Sequence, residues 1–193
     1  MTQPTSKPFA YVYTGPGGID PQTPEEAEAG CAAQEAAAHP NFAETETFLL
    51  VEAIHLAARA HRGQVDKAGE PYLFHCLRVG MSLLPDVNAA LVGILHDVLE
   101  DSPDRSEAEL SRILGHGRSW AALKLLTRLG WLHYDAYINC IAASPLARKV
   151  KIADLRDNLD LRRFTKAIMN GVPVEEMSAL RLRYIRALAV LMK

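Results

Sequence analysis

"NAALVGILHDVLEDS", Asn88 to Ser102, is the stretch whose reading decides the fold. Its first eight residues are apolar nearly all round a helix, the pattern of a helix with no solvent face. Four ionisable side chains then follow in quick succession, His96, Asp97, Glu100 and Asp101. Burying one unpaired charge costs several kcal/mol, so a cluster placed here calls for compensation by partners or by a bound cation. On a single helix over 88–100, His96 lies four residues before Glu100 and Asp97 four before Asp101. That spacing makes two adjacent polar rows facing a similar direction.

Outward from this segment the periodicity stays helical. In "FLLVEAIHLAARAH", from Phe48, the residues Leu50, Ile54, Ala57 and His61 recur at helix spacing, and "RGQVDKAGEP" then breaks the pattern. Further helices are expected at 72–84, 88–100, 106–114, 118–128, 134–142, 145–161 and 175–192, separated by Pro85, Pro103, Gly115, Gly117, Gly130, Pro145, Gly171 and Pro173. No alternating strand run appears, so the class is all-α. Six of the eleven prolines and four of the twelve glycines lie in the first 40 residues, which reads as an irregular extension over 1–47 ahead of a domain over 48–193. Within the extension, Thr23, Pro24 and Glu26 have the arrangement of a capped helix start before an alanine-rich run.

With 193 residues, 49% of them hydrophobic, the chain can bury a proper core. Residues 1–47 hold one lysine against seven acids, a net of −6, while 48–193 hold twenty cations against sixteen acids, a net of +4. A mildly basic body suits a small anionic ligand and falls short of a nucleic-acid footprint. No apolar run approaches the roughly 20 residues of a membrane span, and Met1 is not followed by a signal-peptide pattern, so a soluble cytoplasmic protein is the expectation. The three cysteines, Cys31, Cys76 and Cys140, lack metal-type spacing.

The chemistry is expected at His96 and Asp97, with further ligands from His75 in "EPYLFHCL" and Asp154 in "KIADLRDN", both set in apolar helical sequence. Two imidazoles and two carboxylates suit Mn2+, Fe2+ or Zn2+. With a coordination position open, such an ion would lower the pKa of a water and polarise phosphorus. Each residue also has an ordinary reading. His75 can be a hydrogen-bonded core histidine, Asp154 can pair with Arg148 or Lys151, Glu100 and Asp101 can end a helix, and His61 can pack or support the site from behind. Acids at a helix C-terminus oppose the helix dipole, which argues for a role for Glu100 and Asp101.

Three spaced motifs carry a resemblance. "HRGQVDKAGEPYLFH" (61–75), "LHDVLEDS" (95–102) and "KIADLRDNL" (151–159) resemble the HxGQxRKxGEPYxxH, LHDxxEDT and KxADxxxN segments of the HD-domain metal-dependent phosphohydrolases, and within them of the RelA/SpoT hydrolase domain and the stand-alone small alarmone hydrolases. The resemblance covers roughly residues 48–165. It implies an all-α HD-domain bundle with His75, His96, Asp97 and Asp154 on a metal, Mn2+ first among the candidates. It further implies Glu100 and Asp101 as the acids acting on the attacking water, and Lys67, Lys151 and Asn158 in the nucleotide and phosphate pocket. The family reaction removes the 3′-pyrophosphate of ppGpp and pppGpp. Animal members of the small group also resemble NADPH phosphatases, and a non-catalytic nucleotide-binding module is the alternative of another class.

Two positions depart from the family. Asp66 stands where the family has an arginine associated with the guanine base, and Leu155 where it has a basic residue, with Arg156 shifted by one. An acid beside Lys67 is expected to repel phosphate or to pair with that lysine, so Asp66→Arg is expected to lower the Michaelis constant for ppGpp.

Overall fold

The computed structural model describes residues 42–193 apart from Ser102 and Leu129, and gives no side-chain placement for 42–43 and 101–106. The capped helix expected near Thr23 lies outside the described residues. The rest is built from helices: α1 (Phe42–Ala60), α2 (Tyr72–Met81), α3 (Val87–Leu95), α4 (Val98–Asp101), α5 (Pro103–Leu114), α6 (Arg118–Leu126), α7 (Tyr134–Ala142), α8 (Pro145–Asn158), α9 (Leu161–Met169) and α10 (Val174–Leu191). Among the described residues there is no strand, only one isolated bridge between Val65 and Pro71, so the all-α expectation holds. No described helix is long and apolar enough to cross a membrane.

The central element is α3. Asp86 caps it by accepting the Ala89 N–H at 3.1 Å, and every residue from Ala89 to Leu95 is buried. Ala89, Ala90 and Val92 enter one apolar cluster with Val79, Leu126, Ile141, Val150 and Leu191. Leu91, Ile94 and Leu95 enter a second with Leu56, Val98, Leu110 and Leu123. A helix apolar on all sides is thereby packed on all sides, as the pattern of "NAALVGIL" requires.

The expected single helix over 88–100 is in fact two. His96 and Asp97 form a turn between α3 and α4. The reason is local: His96 Nδ1–H donates to the Gly93 carbonyl at 2.8 Å, the acceptor that a continuing helix would offer to the Asp97 N–H. The turn therefore separates the members of each i, i+4 pair, which lie in the turn and on α4 rather than on one continuous helix. The helix expected over 145–161 ends at Asn158, and a further helix, α9, lies where none is expected, capped by Asp160, which accepts the Arg162 N–H at 2.9 Å. Pro103 opens α5, three residues before the expected start, and α1 begins at Phe42, inside the stretch read as extension.

α2 and α3 approach through glycines, which brings His75 and His96 together. A Cβ on Gly93 would lie 2.8 Å from Leu83 Cδ1 and 3.1 Å from Gly80 Cα, and a Cβ on Gly80 would lie 2.4 Å from Ile94 Cγ1 and 3.0 Å from the Ala90 carbonyl. Backbone atoms cannot yield cheaply, so Gly93→Ala is expected to force the helices apart and cost about 1–3 kcal/mol, read from urea denaturation. Because His96 is three residues away, the same variant should bind metal more weakly than the parent in a competition titration.

Candidate metal centre and adjoining cleft

His75 and His96 are each 2% exposed and Asp154 4%. Their donor atoms converge with that of Asp97 at the meeting of α2, the α3–α4 turn and α8. His75, His96 and Asp97 each offer an atom within 4.8 Å of the others. Asp154 Oδ1 lies 3.3 Å from His75 Nε2 and 3.8 Å from His96 Nε2, while Asp97 Oδ2 lies 3.9 Å and 3.1 Å from the same two nitrogens.

The tautomers follow from the partners on the far side of each ring. His75 Nδ1–H donates to Asp157 Oδ2 at 2.6 Å and His96 Nδ1–H to the Gly93 carbonyl, which directs both Nε2 atoms into the cluster. His96 Nε2 is buried and makes no hydrogen bond among the described residues, although Asp97 Oδ2 is close. A buried imidazole nitrogen facing carboxylates without an aligned donor is an arrangement that a divalent cation satisfies. Two imidazoles with two carboxylates fit Mn2+, Fe2+ or Zn2+.

Charge is distributed accordingly. Burial opposes the His75 imidazolium, yet its hydrogen bonds with Asp154 and Asp157 and the field of Asp97 push it up to about 9. His96 is also raised, by Asp97 against burial. Asp154 is buried and Asp97 half-buried, yet both are held below the ordinary carboxylate value, Asp97 chiefly by His96 and Asp154 chiefly by Lys151. Glu100 moves the other way: partial desolvation and the nearby Asp97 raise it, against the N–H of Arg128, which donates to its Oε1 at 2.5 Å. Asp101 lies at the end of α4, and its side chain is outside the described residues.

The other residues expected in the pocket divide. Asn158 Nδ2 donates to Asp154 Oδ1 at 2.6 Å and also lines an adjoining cleft of about 300 Å³ with Lys67, Tyr72, Arg163, Arg181 and Tyr184. Lys67 pairs with Glu176 at 2.7 Å. Lys151 is absent from that lining. It sits 2.8 Å from Asp154 Oδ2 and over the Tyr137 ring, so its immediate service is to Asp154. His61 packs beside the Tyr72 ring with Nδ1 2.8 Å from Gln64 Oε1, behind the cluster.

Sequence reasoning missed two supporting residues. Tyr72 donates its hydroxyl to Asp97 Oδ2 at 2.5 Å, and its only sequence signal was its place in "GEPYLFH". Asp157 binds His75 and is clamped by Arg78, whose Nε and Nη2 reach its two oxygens at 2.6 and 3.2 Å, and by Arg163. Its spacing three residues after Asp154 was the available hint. Arg163 in turn pairs with Asp66 at 2.9 Å, and Asp66 Oδ1 accepts the Glu70 N–H at 3.0 Å. The expected Asp66–Lys67 pairing is therefore corrected. Asp66 is nearly buried and faces Arg163, because the turn closed by Asp66 N–H to Glu70 O and Gly69 N–H to Asp66 O rotates it inward.

No family model matches the chain. Fifty-seven residues, 28% of this chain and 8% of the relative, are 46% identical to a probable chloroplastic GTP diphosphokinase of Arabidopsis thaliana. Sixty-two residues, 31% of this chain and 9% of the relative, are 39% identical to a guanosine-3′,5′-bis(diphosphate) 3′-pyrophosphohydrolase of Borreliella burgdorferi. A longer match of 133 residues, 67% of this chain and 16% of the relative, is 26% identical to a probable guanosine-3′,5′-bis(diphosphate) 3′-pyrophosphohydrolase of Mycoplasma genitalium. The chain thus spans less than a fifth of the length of these curated relatives.

Without metal, the folded chain holds its proton on His75 from the ordinary value of 6.5 up to about 9, so this stabilisation is complete below the former and lost as pH rises through the latter. The chelated protein should accordingly melt lower at about pH 9 than at about pH 6. Metal takes the proton's place, so Mn2+ affinity should rise over the same interval, with proton release visible by calorimetry in buffers of different ionisation enthalpy. The Asp66 network reverses the substitution expected from sequence. Asp66→Arg sets two guanidiniums together and is expected to cost about 2–4 kcal/mol in urea denaturation, with Asp66→Asn milder, and to weaken metal binding by freeing Asp157.

Proposed function

We propose that this chain is a metal-dependent phosphohydrolase acting on a small phosphorylated nucleotide, with ppGpp and pppGpp as substrates and their 3′-pyrophosphate as the group removed. The observation that carries the reading is the convergence of two imidazole nitrogens and two carboxylates beside a cation-lined cleft, with Tyr72 and Asn158 belonging to both. The three motifs and the similarity to proteins named as pyrophosphohydrolases support it.

In this reading His75, His96, Asp97 and Asp154 hold the ion, Mn2+ for preference. When bound, such an ion supplies Lewis acidity toward a water molecule and a phosphoryl oxygen. Asp157 and the Gly93 carbonyl fix the two rings, Tyr72 fixes Asp97, and Lys151 with Asn158 fixes Asp154. Glu100, with its raised carboxyl pKa, takes a proton from the water that attacks the phosphorus attached to O3′. As the P–O3′ bond breaks, the leaving oxygen receives a proton, giving a 3′-hydroxyl and pyrophosphate. Asp101 shares the acid role by its place in the motif. Lys67 and Arg181 supply positive charge in the cleft, Arg163 being neutralised by Asp66 and Asp157, and Tyr184 and Phe164 supply ring faces for a base.

A second reading keeps the site and changes the substrate to NADPH. It is favoured by one observation: the family's base-contact arginine is here an acid committed to Arg163. Assay of ppGpp, pppGpp, NADPH and common nucleotides with Mn2+ separates these readings. Pyrophosphate from ppGpp is the expected result, orthophosphate from NADPH selects the second, and turnover of none leaves a nucleotide-binding module. Glu100→Gln is expected to retain metal while losing about 10²–10⁴-fold in turnover, whereas His96→Ala and Asp154→Ala should lose the metal itself, as elemental analysis would record.

A further inference from the structure

α8 carries two functional faces. Lys151, Asp154 and Asn158, at spacings of three and four, turn toward the metal cluster, while Lys149, Ile152, Ala153 and Arg156 share another face. That second face forms a cleft of about 530 Å³ with Arg78, Ser82, Leu83 and Arg162, within the size range of small-molecule sites. Its cations outnumber its acids: Arg78, Lys149, Arg156 and Arg162 stand against Asp157 and Asp160. Asp157 is already occupied by His75, Arg78 and Arg163, and Asp160 by the Arg162 backbone and guanidinium. Lys149 reaches out to Asp86. Arg156 has no ion pair among the described residues, and it is the cation displaced by one position from the family's pattern; here it faces away from the cleft beside the metal cluster.

We propose that this cleft is a second ligand site, for a small soluble polyanion with two or more phosphate groups, separate from the cleft that borders the metal cluster. Arg156, exposed and without an ion pair among the described residues, provides the positive charge that meets the ligand, with Arg162 beside it on the surface although paired with Asp160, and Ile152, Ala153 and Leu83 provide an apolar wall for its body. Arg78 ties the site to the metal cluster, since the same guanidinium lines the cleft and holds the carboxylate that orients His75. The site stands on its own residues and does not depend on what the metal centre hydrolyses.

Calorimetric titration of the manganese-loaded protein with tripolyphosphate in excess Mg2+ tests it. Wild-type protein should show saturable binding that weakens as salt is added. Arg156→Gln should weaken it about threefold and Arg156→Gln with Arg162→Gln about tenfold, with turnover in the absence of polyanion unchanged. The single variant alters an exposed residue without an ion pair, so it keeps the test valid if the double variant melts early. Absence of saturable binding to the wild type, or equal affinity in parent and single variant, overturns the proposal; the latter would place the polyanion in the cleft beside the metal cluster.

Discussion

The structure depends on one constraint: two imidazoles and two carboxylates converge where α2, α3 and α8 meet, and three of them, His75, His96 and Asp154, lie at a depth where an unpaired charge is not tolerated. The surroundings are arranged around that cost. Each imidazole gives its Nδ1 proton to a fixed acceptor, one a carboxylate and one a backbone carbonyl. Asp154 is neutralised from one side by Lys151 and bonded by Asn158, one turn away on the same helix. The remaining excess of lone pairs, marked by the unbonded His96 Nε2, is what a divalent cation would satisfy.

Close helix approach makes the cluster possible. Gly80 and Gly93 let α2 and α3 meet backbone to backbone, and each is within a few residues of a histidine of the cluster. The break after α3 has the same origin, since the side chain that faces the cluster also takes the carbonyl that would have continued the helix. One side chain thus ends a structural element and aims its own Nε2 into the cluster, and the short α4 that follows carries Glu100.

From the cluster runs a chain of alternating charge, His75 to Asp157 to Arg163 to Asp66. It ties the loop before α2 to the ends of α8 and α9. An acid at position 66 is consistent with this arrangement, because Arg163 already stands opposite and needs a partner. Asp66 thereby forms part of the wall of the cleft and holds Arg163 behind the cluster.

From the sequence alone, the buried character of α3 and the helical class were legible, because a continuous apolar run and 3.6-residue periodicity are local properties of the chain. His75, His96, Asp97 and Asp154 stood out for a similar reason: ionisable residues in apolar surroundings are anomalous wherever they occur. Tertiary structure alone decided the rest. The 96–97 break depends on an imidazole competing for a carbonyl, the start of α9 on a cap from Asp160, and the partners of Asp66 and Asp157 on which helix face meets which neighbour, whereas the Lys151–Asp154 pair, three residues apart on one helix, was legible from spacing. Spacing along a chain fixes which residues share one helix face, but ion pairs between residues 66 and 163, or 78 and 157, form across distances that periodicity cannot reach, and only packing selects them.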